Sequence, residues 1–382
     1  MPLARHAHLP SEGQAPPTDP SPVVSHFTMR KYIWAVPITL VLLIVAGCKL
    51  KAETPRCVST AVDNVADYTE AFASSSGVWS AGDAANAIRL DGNRVLWTFA
   101  DSYLDNSHGF VRNSTVLQDG RCFTPLTVGT VGKRQAIFTS NDANSWLWPT
   151  GGFFDPSTNV AYVLSNKYVT NTAPGAYYPF SLSGSYISKV TITPQGMSAD
   201  PVGTSPAPQG TSAFRWTSVT KSGDWVYIYG RHNGDHIVAR SSLSQFTTSW
   251  TYWNGSSWSP NALSARDMFR GTEPVDSFHV AATTNGFIGT ALDAEMTGTI
   301  AHGWSSPTPY GPWTDLGVVL RTPTTCATCH YYLAGIENLP GAGWTAYVSR
   351  SDTVAQFGQT ALYRPVFTKV TIPAINSLIP KR

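Results

Sequence analysis

The chain has 382 residues, with 26 Lys and Arg against 24 Asp and Glu, a formal net charge of +2. That balance leaves no basic footprint of the kind that neutralises phosphates, so nucleic acid is not an expected partner. Charged residues make up 13% of the chain, about half the share in an average globular protein, while aromatics reach 12% with 13 Trp. Such rings build β-cores and also stack on the apolar faces of sugars, so the composition suits a carbohydrate ligand.

Residues 1–28, rich in Pro and without apolar periodicity, read as a disordered leader or an over-extended start. Residues 29–47 have the anatomy of a secretory signal: Met29-Arg30-Lys31 is basic, Tyr32 to Val45 is apolar, and Ala46-Gly47 are small. Cys48 directly after Ala46-Gly47 resembles the lipobox of bacterial lipoproteins, which implies cleavage before Cys48, lipid on its sulfur, and an exported chain held at a membrane. An ordinary signal peptide is the alternative. Residues 48–70 then read as a tether and 71–379 as the folded domain.

Within that domain 3.6-residue periodicity is scarce. Short β-rich runs recur between Gly, Pro, Asn and Asp clusters: Val95 to Phe99, Gln135 to Phe138, Val160 to Leu164, Tyr186 to Ile192, Trp225 to Tyr229, Ile237 to Arg240, Phe287 to Leu292, Gly317 to Leu320, Trp344 to Ser349 and Phe367 to Ile372. Strands at this density call for an all-β fold that manages its edges by radial repetition. One unit is clear, Trp216 to Trp258, with hairpin chemistry at Ser222-Gly223-Asp224, Asn233-Gly234-Asp235 and Asn254-Gly255. Dividing the domain by a blade of about 60 residues predicts a five-bladed β-propeller.

The pivotal stretch is LDGNRVLWTFADSYLDNSHGFVRNST, Leu90 to Thr115, because Asp101 stands where an apolar strand emerges into a polar loop. Scaffolds place chemistry at such positions. A side-chain cap of its own turn is the simpler role.

Four cysteines remain in an oxidising compartment, and two disulfides are the default, with Cys57–Cys122 and Cys326–Cys329 the favoured pairing of three. Cys326-Ala327-Thr328-Cys329-His330 also has the spacing of covalent haem attachment, which stays an alternative, although the surrounding segment lacks helical periodicity. A zinc site is disfavoured, with no second pair at ligand spacing, and neither metal nor cofactor is expected.

The order of motifs resembles that of the DUF5005/DUF4185 type of secreted domain, akin to the five-bladed propellers of the arabinanase and fructosidase glycoside hydrolases. The carriers are LWTFADSYLDN with RNS, WLWPTGGFFDPSTNVAYVLSNKY, VYIYGR with HIVAR and WTYWNGSSW, HGWSSPTPYGPWTD, and YYLAGIENLPGAGWTAYVSRSD, from about Trp79 to Phe367. The resemblance implies carboxylates converging on a central funnel, with Asp101 as the first-blade base, Glu273 or Glu337 as the acid, and Asp155 tuning a neighbour by charge repulsion. Trp148, Tyr229, Arg231 and His232, with Trp146 and Tyr168, would bind the sugar. Asp101 is expected within about 12 Å of another of these acids. One departure weighs against cleavage: Trp148-Pro149-Thr150-Gly151-Gly152 carries no acid where relatives often have one. A non-catalytic glycan- or protein-binding propeller therefore stays open beside a hydrolase.

Overall fold

Asn233 and Gly234 both adopt positive φ, 53° and 97°, the conformation a two-residue hairpin needs, and they pin Trp225–His232 against Asp235–Ser242 with His232 opposite Asp235. The same grammar of apolar strand and tight antiparallel turn recurs through the molecule. The structure, a computed structural model, describes residues 48–370 apart from 59–61, 74–76, 177, 270–273, 275–276, 296, 324–325, 327 and 353–359. The leader and signal segment of the sequence reading, and Glu273, lie outside the described residues.

Five antiparallel blades follow one another in the chain. Blade I comprises Asn86–Arg89, Arg94–Phe99, Ser114–Asp119 and Cys122–Thr130; blade II, Ser145–Asp155, Val160–Thr170, Phe180–Thr193 and Gly196–Thr204. Blade III comprises Arg215–Ser222, Trp225–His232, Asp235–Ser242, Thr251–Trp253 and Trp258–Ser259. Blade IV holds His279–Thr283, Gly286–Leu292, Ile300–Ser306 and Thr314–Arg321, and blade V holds Cys329–Leu339, Gly343–Asp352 and Val366–Lys369. The all-β, five-bladed propeller expected from strand density is the observed fold.

Each blade begins on its innermost strand, and polar side chains of the first two strands sew each blade to the next. Asn86 donates to the Pro149 carbonyl at 3.2 Å, joining blades I and II. Asn166 exchanges two bonds with the Trp216 backbone, at 2.9 and 3.1 Å, between II and III. Thr217 donates to the Phe278 carbonyl at 2.7 Å at the start of IV, and the Ile336 amide of V donates to His279 Nδ1 at 3.4 Å. The Ala84 amide donates to Ser349 Oγ at 2.7 Å and closes the ring from I to V. Bonds that satisfy buried backbone groups in this way hold the blades at one radius and one height.

The 48–70 segment is not a tether. Cys48–Ala52 is a strand, pairing through its first half with Gly196–Thr204 and through its second with Cys122–Thr130, so it joins the outer edges of blades II and I. Helix α1, Val65–Ala73, buries Tyr68, Ala71 and Phe72 between blades I and V, against Trp97, Phe123 and Phe367. Gly341 shows how close the segment lies: a Cβ there would sit 1.7 Å from the Val62 carbonyl oxygen. In Cys48–Ala52 only Leu50 is buried, which is why five residues written CKLKA gave no strand signal.

Both favoured disulfides are formed, Cys57 with Cys122 and Cys326 with Cys329. The second bond uses both sulfurs that a haem would need at Cys326 and Cys329, so the haem alternative has no thiols to act through. Among the described residues no helix is long and apolar enough to cross a membrane, and no cluster of three His, Cys, Asp or Glu could hold a metal.

Candidate active site at the central funnel

All five innermost strands contribute to the lining of one cavity of about 750 Å³, through Asn86, Trp148, Trp216, His279 and Gly335 among others. Asp83 and Asp101 enter it side by side, and the pairing register explains why. Gly82 pairs with Ser102 in a short sheet, and Asn86 pairs with Thr98 in blade I. Both belong to one register, in which each step forward on one strand is a step back on the other, so Asp83 falls opposite Asp101. The backbone agrees, since the Asp83 amide donates to the Asp101 carbonyl at 3.2 Å. Opposed residues on one face carry their Cβ atoms about 5 Å apart.

The two carboxyls meet different surroundings. Asp101 accepts the Trp148 indole N–H at 2.8 Å and an Arg112 N–H at 3.2 Å. Burial raises its pKa above the ordinary value, and the Arg112 charge and the Trp148 bond oppose that rise. Arg112 is itself placed by rings, with its guanidinium 4.4 Å from the Trp146 centroid and 5.2 Å from that of Phe110. Asp83 has no cation partner among the described residues. It accepts the Tyr332 hydroxyl at 2.8 Å and a bond from Tyr363, while Oδ1 is buried with no hydrogen-bond partner. Burial, together with the Asp101 charge, pushes the Asp83 carboxyl up to about 7. At neutral pH the pair therefore divides into a carboxylate that is charge-stabilised and a carboxyl poised to hold a proton, the separation that acid–base chemistry requires.

Blade II supplies an aromatic wall. Trp148, Tyr168 and Phe180 pack at centroid distances of 4.5 to 5.5 Å, and Tyr178 stacks on Phe180 at 5.2 Å. Blade III and the segments flanking strands of blade IV supply a polar part of the lining: Glu295 pairs with Arg231 at 2.7 Å and with Arg215 at 3.4 Å, and Arg215 also donates to Ser277 at 2.9 Å.

The profile of a domain of unknown function, DUF5005, matches residues 66–372. The chain belongs to the DUF5005 family. A comparison with curated proteins found no match. Among solved structures, a Bacteroides ovatus protein described as a candidate hydrolase aligns over 83% of this chain and 93% of its own, at 15% identity and a TM-score of 0.62, the same fold. An exo-1,5-α-L-arabinanase from a bovine ruminal metagenomic library aligns over 78% of this chain and 95% of its own, at 9% identity and a TM-score of 0.47. A GH43_1 enzyme from Xanthomonas citri aligns over 77% and 88%, at 14% identity and a TM-score of 0.45.

In this DUF5005 chain the funnel gathers only part of the set named from sequence. Asp101, Trp148, Trp146 and Tyr168 line it. Arg231 reaches its mouth through Glu295. His232 packs on Phe214 at 4.3 Å instead. Tyr229 does not line the funnel: it is fully buried against blade IV, with its hydroxyl donating to the Pro309 carbonyl at 3.0 Å. Asp155 ends the strand whose earlier part, Trp146 to Thr150, lines the funnel, and it lies roughly 16 Å beyond Thr150 at about 3.3 Å per residue. There its carboxylate takes bonds from Ser157 and Thr158, which outweigh burial and lower its pKa, the signature of a turn cap. Glu337 lies further along the inner strand of blade V than Tyr332 to Gly335, the part that lines the cavity. Burial pushes it up to about 7 against weaker pulls from the Asn338 amide and Arg89. Among the described residues the partner of Asp101 is thus neither Asp155 nor Glu337 but Asp83, which the sequence reading missed along with Arg112, Arg215 and Glu295.

Proposed function

We propose that this DUF5005 chain is an exported, lipid-anchored glycoside hydrolase that takes a carbohydrate into its funnel and cleaves it between Asp83 and Asp101. The observation that carries the reading is the opposed pair itself, two carboxyls with different hydrogen-bond partners in one cavity beside a wall of rings. Asp83, holding a proton at neutral pH, donates it to the leaving glycosidic oxygen as the bond to the anomeric carbon breaks. Asp101, kept ionised by Arg112 and Trp148, attacks that carbon. Water then displaces Asp101, giving up its proton to Asp83, and the free sugar leaves. Opposed residues hold their Cβ atoms about 5 Å apart, and a pair set that close suits a direct attack, whereas an inverting pair separates its carboxyls by about 6.5–9.5 Å to admit water. The Trp148, Tyr168 and Phe180 rings offer faces on which a sugar stacks. Export and anchoring rest on the Met29 to Cys48 signal.

The missing acid at Trp148 to Gly152 favours a second reading, binding without cleavage. One experiment separates them. Residues 49–382 are incubated with a panel of arabinan, xylan, galactan and glucan, and product anomers are followed by proton NMR. Release of sugar with retained configuration is expected; inversion contradicts the opposed pair as the catalytic unit, and binding without release leaves the second reading.

A further inference from the structure

The funnel does not end at the aromatic wall. A second, more open groove of about 520 Å³ lies beside it, lined by Ala143, Asn144, Ser145 and Val169, and it shares Arg112, Trp146 and Thr170 with the funnel. The two cavities therefore meet at these shared residues, which form the partition between them. Arg112, which stands on that partition, is also the cation bonded to Asp101, so the point of cleavage lies where funnel and groove meet. The rest of the groove comes from the turn that opens blade II's inner strand and the end of its second strand, where Asn144 and Ser145 can meet hydroxyls. Two rings lie exposed near the same mouth: Phe110, under the Arg112 guanidinium, and Tyr178, stacked on Phe180, each 43% accessible. Exposed ring faces next to an open polar groove are what a sugar chain uses when it runs on past a site.

From this continuity we infer that the site is an extended cleft for a glycan chain, with the scissile bond at Asp83 and Asp101 and further sugars running over Trp146 and Arg112 into the groove. The inference rests on the hydrolase reading and adds to it a substrate class: a polymer engaged on both sides of the cleavage point, not a terminal sugar held in a blind pocket. All three arginines at the cleft are ion-paired, Arg112 with Asp101 and both Arg215 and Arg231 with Glu295, so the chain assigned to it is a neutral one.

The test uses titration calorimetry with Asp101→Asn, which prevents turnover, and with the same chain carrying Ala143→Lys. Ala143 is exposed, lines the groove and does not line the funnel. The probes are arabino-, xylo-, galacto- and gluco-oligosaccharides from disaccharide to hexasaccharide. In the series that binds, Kd is expected to fall roughly tenfold or more with length. Ala143→Lys should remove that gain and leave disaccharide affinity unchanged. Affinity that is flat with length, or a gain that survives Ala143→Lys, overturns the cleft and leaves the funnel reading standing. No binding by any series overturns both.

Discussion

At the scale of single residues, the division of labour between Asp83 and Asp101 depends on Arg112. Removing its charge by Arg112→Met takes away an influence that holds the Asp101 pKa down, so Asp101 should protonate at higher pH. The acid limb of the kcat/KM profile should then move upward by about one pH unit or more, a range typical of a lost neighbouring charge. An unmoved limb would mean that Arg112 has only a packing role on Trp146 and Phe110. Asp101 was legible in the sequence because a local pattern, an apolar strand running into a polar loop, marks it. Asp83 was not legible. It lies in Gly82-Asp83-Ala84-Ala85, with no apolar run to end, and its meaning comes from two pairings, Gly82 with Ser102 and Asn86 with Thr98, that join residues some distance apart in the chain. Arg215 and Glu295, 80 residues apart, were hidden for the same reason.

At the scale of elements, the inner strand of blade V carries a half-buried acid that the proposed reaction does not use. Glu337 titrates at about 7 in the folded chain against an ordinary value of 4.5. Between those two pH values the folded chain holds a proton that the unfolded chain has released. The stabilisation from this group is therefore full below about pH 4.5 and is lost as pH rises towards 7. Glu337→Gln removes that loss. The stability of the variant relative to the parent should grow by up to about 3 kcal/mol from pH 4.5 to 7.5, because one retained proton is worth about 1.4 kcal/mol for each pH unit crossed. Urea unfolding at the two pH values checks it; an equal difference at both would show that the carboxyl ionises as freely as in water. Elements whose signals are local, such as the hairpin at Asn233-Gly234 and the runs Val160 to Leu164 and Phe287 to Leu292 within their longer strands, were readable from sequence. The strand at Cys48 and helix α1 were not, since the strand buries one residue and the helix is placed by contact with Trp97 and Phe367.

At the scale of the whole molecule, five blades sewn by Asn86, Asn166, Thr217, His279 and Ser349 bring residues from the entire chain to one mouth, which is how a site can form that no single stretch of sequence contains. Cys48 is exposed at the start of the strand that links the outer edges of blades I and II. If it carries lipid, as we propose, little spacer separates the acyl chains from the propeller. The full chain expressed in a bacterial host should partition into detergent and yield an N-terminal peptide with acyl mass, and Cys48→Ala should lose both. An unmodified Cys48 inside an intact N-terminal segment would contradict the anchor. The account as a whole turns on the opposed carboxyl pair, and the most direct measurement is release of reducing ends by four chains: the parent, Asp83→Asn, Asp101→Asn and Asp155→Asn. On whichever polysaccharide of the panel the parent cleaves, the account predicts that Asp83→Asn and Asp101→Asn each lose roughly a thousandfold or more of the rate, as loss of an essential catalytic group does, while Asp155→Asn matches the parent; substantial activity in either funnel variant would contradict it.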